Sequence, residues 1–154
     1  MKIANFDLSL SPLVIAEIGN NHEGDYGLAV EMIHQAAACG VGGVKFQTFQ
    51  TARYIGAGQP ERFQRLQSFE LSPEQFRALH EIAKKQGLLF ISTPQDLVSA
   101  GFLASLVDAI KIASGDNNFY PLLEQVAGSG KPVIMSTGLA NYRNIEYAQA
   151  LLRK

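Results

Sequence analysis

A chain of 154 residues, 47% apolar and 18% charged, is sized for one substantial core, and no apolar run in it approaches the length of a membrane span. A formal net charge of −1 without any basic block argues against nucleic-acid binding driven by bulk charge. The single cysteine, Cys39, allows no internal disulfide, and the opening stretch Met1–Pro12 carries Lys2 and Asp7 with no signal-type apolar segment, so a reducing cytoplasm is expected.

Strand and helix signals then alternate. Leu13 to Ile18 is a short apolar run ending in Gly19, and Gly27 to Cys39 places Ala29, Met32, Ile33, Ala36 and Ala37 at helical spacing before Gly40 stops it. Cys39 is expected to be a small core residue of that helix rather than a nucleophile. Gly43 to Gln47 reads as a strand. The connection from Thr48 to Leu71 is long, and such connections are usually functional or mobile. Ser72-Pro73-Glu74-Gln75 combines an N-cap, a proline at the first helical position and a capping-box glutamine, and opens a helix through Phe76, Leu79 and Ala83 to Gln86. Strands follow at Leu88–Ser92, Asp108–Ala113 and Pro132–Ser136. Helices follow at Asp96–Leu106, at Tyr120–Ala127 and after an Asn141 cap. Five strand–helix units in succession predict a parallel sheet covered by helices, either an open doubly wound sheet or part of a (β/α)8 barrel.

The polar residues gather where the strands end. Glu17 closes the first strand, and Lys45 and Gln47 close the second on one face. Ser92 and Thr93 close the third. Lys111, Ser114, Gly115 and Asp116 close the fourth, and Ser136, Thr137 and Gly138 the fifth. Parallel α/β folds carry their ligand sites at that end. Lys45 and Lys111 both sit inside apolar runs, where an ammonium is costly unless it is paired or meets an anion, so the two predict a small phosphate or carboxylate site. Lys45 can instead pair with Glu17 on the neighbouring strand, and the Ser-Thr pairs can be simple caps and turns. Asp116 is placed to serve in proton transfer beside Lys111. His22 is expected to be a loop hydrogen-bonder, and His34 and His80 to face solvent. No two of these histidines have zinc-ligand spacing.

Ala16-Glu17-Ile18-Gly19-Asn20-Asn21-His22-Glu23-Gly24-Asp25, Val44-Lys45-Phe46-Gln47-Thr48, Ser92-Thr93-Pro94, Lys111-Ile112-Ala113-Ser114-Gly115-Asp116 and Lys131-Pro132-Val133-Ile134-Met135-Ser136-Thr137-Gly138 together resemble the sialic acid synthase family, from about residue 13 to the end. The resemblance implies an α/β fold of the (β/α)8 TIM-barrel type with only the first five or so units present, residues 1–154 being the N-terminal part of a synthase barrel. It implies condensation of phosphoenolpyruvate with an N-acetylmannosamine-type sugar to a nonulosonic acid and phosphate, with the protein a homodimer. By the same resemblance Lys45, Thr93, Lys111, Ser114, Ser136, Thr137 and Gly138 surround phosphoenolpyruvate, and Glu17 and Gln47 lie near the sugar and the reacting carbons. Asp116 manages protons, standing where the family usually has Glu. A divalent metal, Mn or Mg, is implied for the complete enzyme, its histidine ligands lying in later barrel strands outside this chain. A truncated portion with weak activity or none by itself is therefore expected. Two other readings of the residues remain open: a class I aldolase forming a Schiff base on Lys45 or Lys111, and a non-catalytic phosphate- or sugar-binding half-barrel.

Overall fold

The computed structural model describes residues 2–56 and 58–153. Met1, at the head of the opening stretch, lies outside them. The Val- and Ile-rich runs become five parallel strands: β3 (Ile15–Gly19), β4 (Gly43–Thr48), β5 (Leu89–Pro94), β6 (Ala109–Ile112) and β7 (Val133–Met135), hydrogen-bonded in the order β3-β4-β5-β6-β7. A two-residue-per-strand antiparallel hairpin precedes them, β1 (Lys2–Ile3) with β2 (Phe6–Asp7). The helices are α1 (Tyr26–Ala38), α2 (Thr51–Tyr54), α3 (Pro60–Phe69), α4 (Pro73–Lys85), α5 (Leu97–Ala104), α6 (Tyr120–Ala127) and α7 (Tyr142–Leu152).

Caps written in the sequence start several of these helices. Asp25 accepts the Leu28 N–H at 3.0 Å, Asp96 that of Ser99 at 2.9 Å, and Asn141 that of Asn144 at 2.9 Å. At α4 both halves of the capping box form: Ser72 Oγ accepts the Gln75 N–H at 3.2 Å, and Gln75 Oε1 accepts the Ser72 N–H at 2.7 Å.

Period two divides each strand between two environments. Ile18, Val44, Phe46, Phe90, Ile110 and Ile112 face the helices and form the main core with Ile33, Leu79, Leu103, Leu122, Leu123 and Leu151. The opposite face carries Leu89, Ile91 and Ala109 at the starts of the strands, packed against Ile3 and Phe6 of the hairpin. A doubly wound sheet reverses its strand order and carries helices on both faces. Neither occurs here, so that alternative is excluded among the described residues. No helix among them is long and apolar enough to cross a membrane.

The long connection carries α2 and α3, packed around a small core of Phe49, Ile55 and Leu66. Two expectations are corrected. Cys39 is exposed because it is the C-cap of α1, off the stripe Ala29–Ile33–Ala36 that the helix buries; it lines an open apolar groove with Leu28 and Met32. His80 is half-buried, its ring edge-on to Phe90 at 5.6 Å, because it lies one turn from buried Phe76 on the stripe that covers β5. His34 is exposed as expected.

Candidate anion site on the uncovered sheet face

The face that carries the hairpin at the strand starts turns polar at the strand ends. Register places Glu17 beside Lys45, and Gln47 beside Thr93, with Lys111 one strand further. Ser136 continues β7 just past Met135, its N–H bonded to the Ile112 carbonyl at 3.0 Å. Five adjacent strands thus present Glu17, Lys45, Gln47, Thr93, Lys111 and Ser136 above a floor of Leu89, Ile91, Ala109 and Ile134.

Lys45 Nζ lies 2.7 Å from Glu17 Oε2 and donates to Thr93 Oγ1 at 3.2 Å. The ion-pair alternative for Lys45 is therefore realised, but the Glu17 side chain remains 55% exposed, so solvent screens the pair. Lys111 Nζ donates to the Ile112 carbonyl at 2.6 Å and to Ser136 Oγ. Burial over the apolar floor pushes the Lys111 ammonium below the ordinary lysine value; the positive charge of Lys45 pushes it the same way, and Glu17 opposes both. Two ammonium groups that sense each other share one carboxylate, leaving one positive charge uncompensated at the strand ends.

Gly19, at φ +59°, brings the remaining side chains together. A Cβ there would stand 3.2 Å from Glu17 Oε1 and 3.7 Å from Gln47 Nε2, so its absence lets these two polar ends converge. Ser114 opens a 3₁₀ turn (Ser114–Asp116) after β6, and its Oγ approaches Gly138 to within 2.9 Å of where a Cβ would be. Thr137 and Gly138 are exposed on the loop after β7. Asp116 forms no ion pair with Lys111; burial alone raises its pKa, which favours the protonated acid. Ser92 points away from this cluster and pairs with Thr48 Oγ1 at 2.7 Å on the helix side of the sheet. His22 is buried, its Nδ1 accepting the Gly24 N–H at 3.1 Å, and burial lowers its pKa; it holds the loop after β3. A cavity of ≈ 790 Å³ lies elsewhere, between the α2–α3 segment and α4–α5, and holds none of the expected site residues.

The residue that sequence reasoning missed is Asn117. It is 4% exposed and spans two loops, its Nδ2 donating to the Gly138 carbonyl at 2.8 Å and lying 3.5 Å from that of Ser136. An Asn following Ser-Gly-Asp carries no local signal for a partner twenty-odd residues away.

The NeuB family profile matches residues 32–154. An uncharacterized protein of Methanocaldococcus jannaschii is 46% identical over 140 residues, covering 90% of this chain and 41% of that protein. The N,N'-diacetyllegionaminic acid synthase of Legionella pneumophila is 36% identical over 154 residues, covering 91% and 43%. The crystal structure of N-acetylneuraminic acid synthetase from Leptospira borgpetersenii, in complex with citrate, superposes with a TM-score of 0.88 at 35% identity over 93% of this chain and 50% of that one. The chain thus spans half or less of the length of these relatives.

Proposed function

The chain belongs to the NeuB family, and from that membership we propose that it forms the phosphoenolpyruvate-holding part of a synthase condensing phosphoenolpyruvate with an N-acetylated amino sugar to a nonulosonic acid and phosphate. The observation that carries this reading is the pairing of Lys45 and Lys111 on one sheet face, flanking Thr93, with one positive charge uncompensated. Phosphoenolpyruvate is a compact polyanion whose carboxylate and phosphate each need a cation. Sequential strand order with helices on one face is also what a (β/α)8 barrel requires. On this reading the five units are the first part of such a barrel, with β3 and β7 its open edges.

The chemistry follows from placement. Lys45 and Lys111 hold the two anionic ends, and Thr93, Ser114 and Ser136 add hydroxyl donors. Carbon 3 of phosphoenolpyruvate attacks the open-chain aldehyde carbon, forming the C–C bond while the aldehyde oxygen takes a proton. Water adds to carbon 2, and the C–O bond to phosphate then breaks, leaving the 2-keto acid. Glu17 and Gln47, whose side chains both flank Gly19, are assigned to the sugar side. Asp116, held toward its protonated form by burial, is assigned to proton handling around water addition. The divalent metal implied by the resemblance finds no ligand set here: no three His, Cys, Asp or Glu side chains converge among the described residues. On this reading its ligands are supplied by other parts of the protein.

Titration calorimetry tests the reading directly. Phosphoenolpyruvate should bind the chain with a dissociation constant on the order of 1 mM or tighter, and Lys45→Met or Lys111→Met should weaken it about tenfold or more, by roughly 1.4 kcal/mol. No binding by the wild-type chain at millimolar ligand would overturn it. The depressed Lys111 ammonium also suits an amine nucleophile. Borohydride treatment with pyruvate should leave the mass unchanged; an adduct on Lys111 would transfer the site to a Schiff-base aldolase.

A further inference from the structure

We infer that Asn117 is a positioning residue for the anion site: its side-chain amide clamps the loop after β7 to the turn after β6, setting Ser136 and Ser114 around Lys111. This rests on the reading of Lys111 and its neighbours as an anion site. Asn117 reaches Ser136 and Gly138 only through their main-chain carbonyls, and its role is to hold them in place.

The geometry is specific. Both partners of the Asn117 side chain, the carbonyls of Gly138 and Ser136, are acceptors. Only the NH2 end of the amide can serve them, so the orientation of the side chain follows from its partners. Asn117 is buried and closes the 3₁₀ turn that begins at Ser114, so the clamp and Ser114 move as one piece. The other end of the clamp is equally constrained. Gly138 lacks the Cβ that would collide with Ser114 Oγ, and the next residue, Leu139, stands at φ +64°, a left-handed conformation that a branched side chain rarely adopts. The bond to the Gly138 carbonyl holds the peptide that leads into this strained residue. Two residues before Gly138, Ser136 Oγ meets Lys111 Nζ. The two strand ends are therefore bonded at Ser136–Lys111 and at Asn117–Gly138, with Ser114 packed close against Gly138. The Asn117 bond is made to a main-chain carbonyl by a side chain that is 4% exposed, whereas the Ser136–Lys111 contact joins two of the side chains assigned to the anion.

The test separates the clamp from general stability. Asn117→Leu keeps the shape of the side chain and removes both donors. Ser72→Ala removes the α4 cap far from the site and serves as a destabilised control. Phosphoenolpyruvate affinity, measured well below both melting temperatures, should fall about tenfold in Asn117→Leu and stay within about twofold of wild type in Ser72→Ala. Amide hydrogen exchange should speed up at residues 137–140 in Asn117→Leu alone. Equal affinity in Asn117→Leu and wild type would overturn the inference, as would equal losses in the two variants. If Asn117→Leu fails to fold, Asn117→Ser, which retains a shorter donor, takes its place, with a smaller loss of affinity and the same local exchange signature expected. A wild-type chain that binds no phosphoenolpyruvate would sink the anion-site reading, whereas unchanged exchange at residues 137–140 in the variant would sink the clamp on its own.

Discussion

Lys111 is where burial and function pull against each other. Its ammonium stands above an apolar floor and near Lys45, and both lower its pKa. Between that lowered value and the ordinary lysine value of roughly 10.4 the unfolded chain binds more protons than the folded one. Folding stability attributable to this group therefore rises with pH across that window, because the penalty of a buried charge disappears. Anion affinity should move the opposite way, falling as pH climbs through the folded pKa. A bound anion favours the charged amine, so binding within the window should take up a proton. Calorimetry of phosphoenolpyruvate binding in buffers of different ionisation enthalpy reads that uptake, and an affinity that stays flat across the alkaline limb would remove Lys111 from the site.

At the scale of elements, the segment between β4 and α4 is the part most dependent on a few polar contacts. Its small core, Phe49, Ile55 and Leu66, is separate from the main one. Its start is held by two carboxylates: Asp96 Oδ2 accepts the Gln50 N–H at 2.9 Å, and Glu70 Oε1 accepts the Thr51 N–H at 2.6 Å. These bonds tie the first turn of α2 to the start of α5 and the end of α3. Glu70→Leu should leave the Thr51 N–H without its acceptor, at a cost of about 1–3 kcal/mol. The expected outcome is faster amide exchange confined to residues 49–71, with the five-stranded sheet still protected. A uniform rise in exchange would mean that this segment and the sheet open as one unit.

Across the whole molecule the dominant asymmetry is between the two faces and the two edges of the sheet. One face is sealed by helices, and the other only at the strand starts by the hairpin. The outer strands β3 and β7 each have one unpaired side among the described residues. Apolar side chains stand beside both edges: Leu28 and Met32 line the groove next to β3, and Leu139, Tyr142 and Tyr147 are exposed around the β7 end. Unpaired edges with adjacent apolar surface invite association. The 154-residue chain should therefore self-associate with rising concentration, giving a dimer or larger species by light scattering. A monomer across the accessible range would mean that the edges are protected in another way.

Much of this architecture could be read from residues alone, because its determinants are local. The capping box at Ser72–Gln75, the caps at Asp25, Asp96 and Asn141, and the apolar runs of the five strands are set by neighbours a few positions apart. Period two likewise puts Lys45 and Gln47 on one face. The hairpin escaped because strands of two residues carry no period, and α2 and α3 because their small core is closed by contacts made at a distance. Cys39 and His80 were misjudged because exposure depends on what lies over a helix, which helical spacing does not reveal. The sequence by itself determined which residues carry charge and at which strand ends they fall. Only the tertiary structure decided that Ser92 turns from the site, that Glu17 and Gln47 converge over Gly19, and that Asn117 bridges to Gly138, because each depends on pairing between strands and loops distant in the chain.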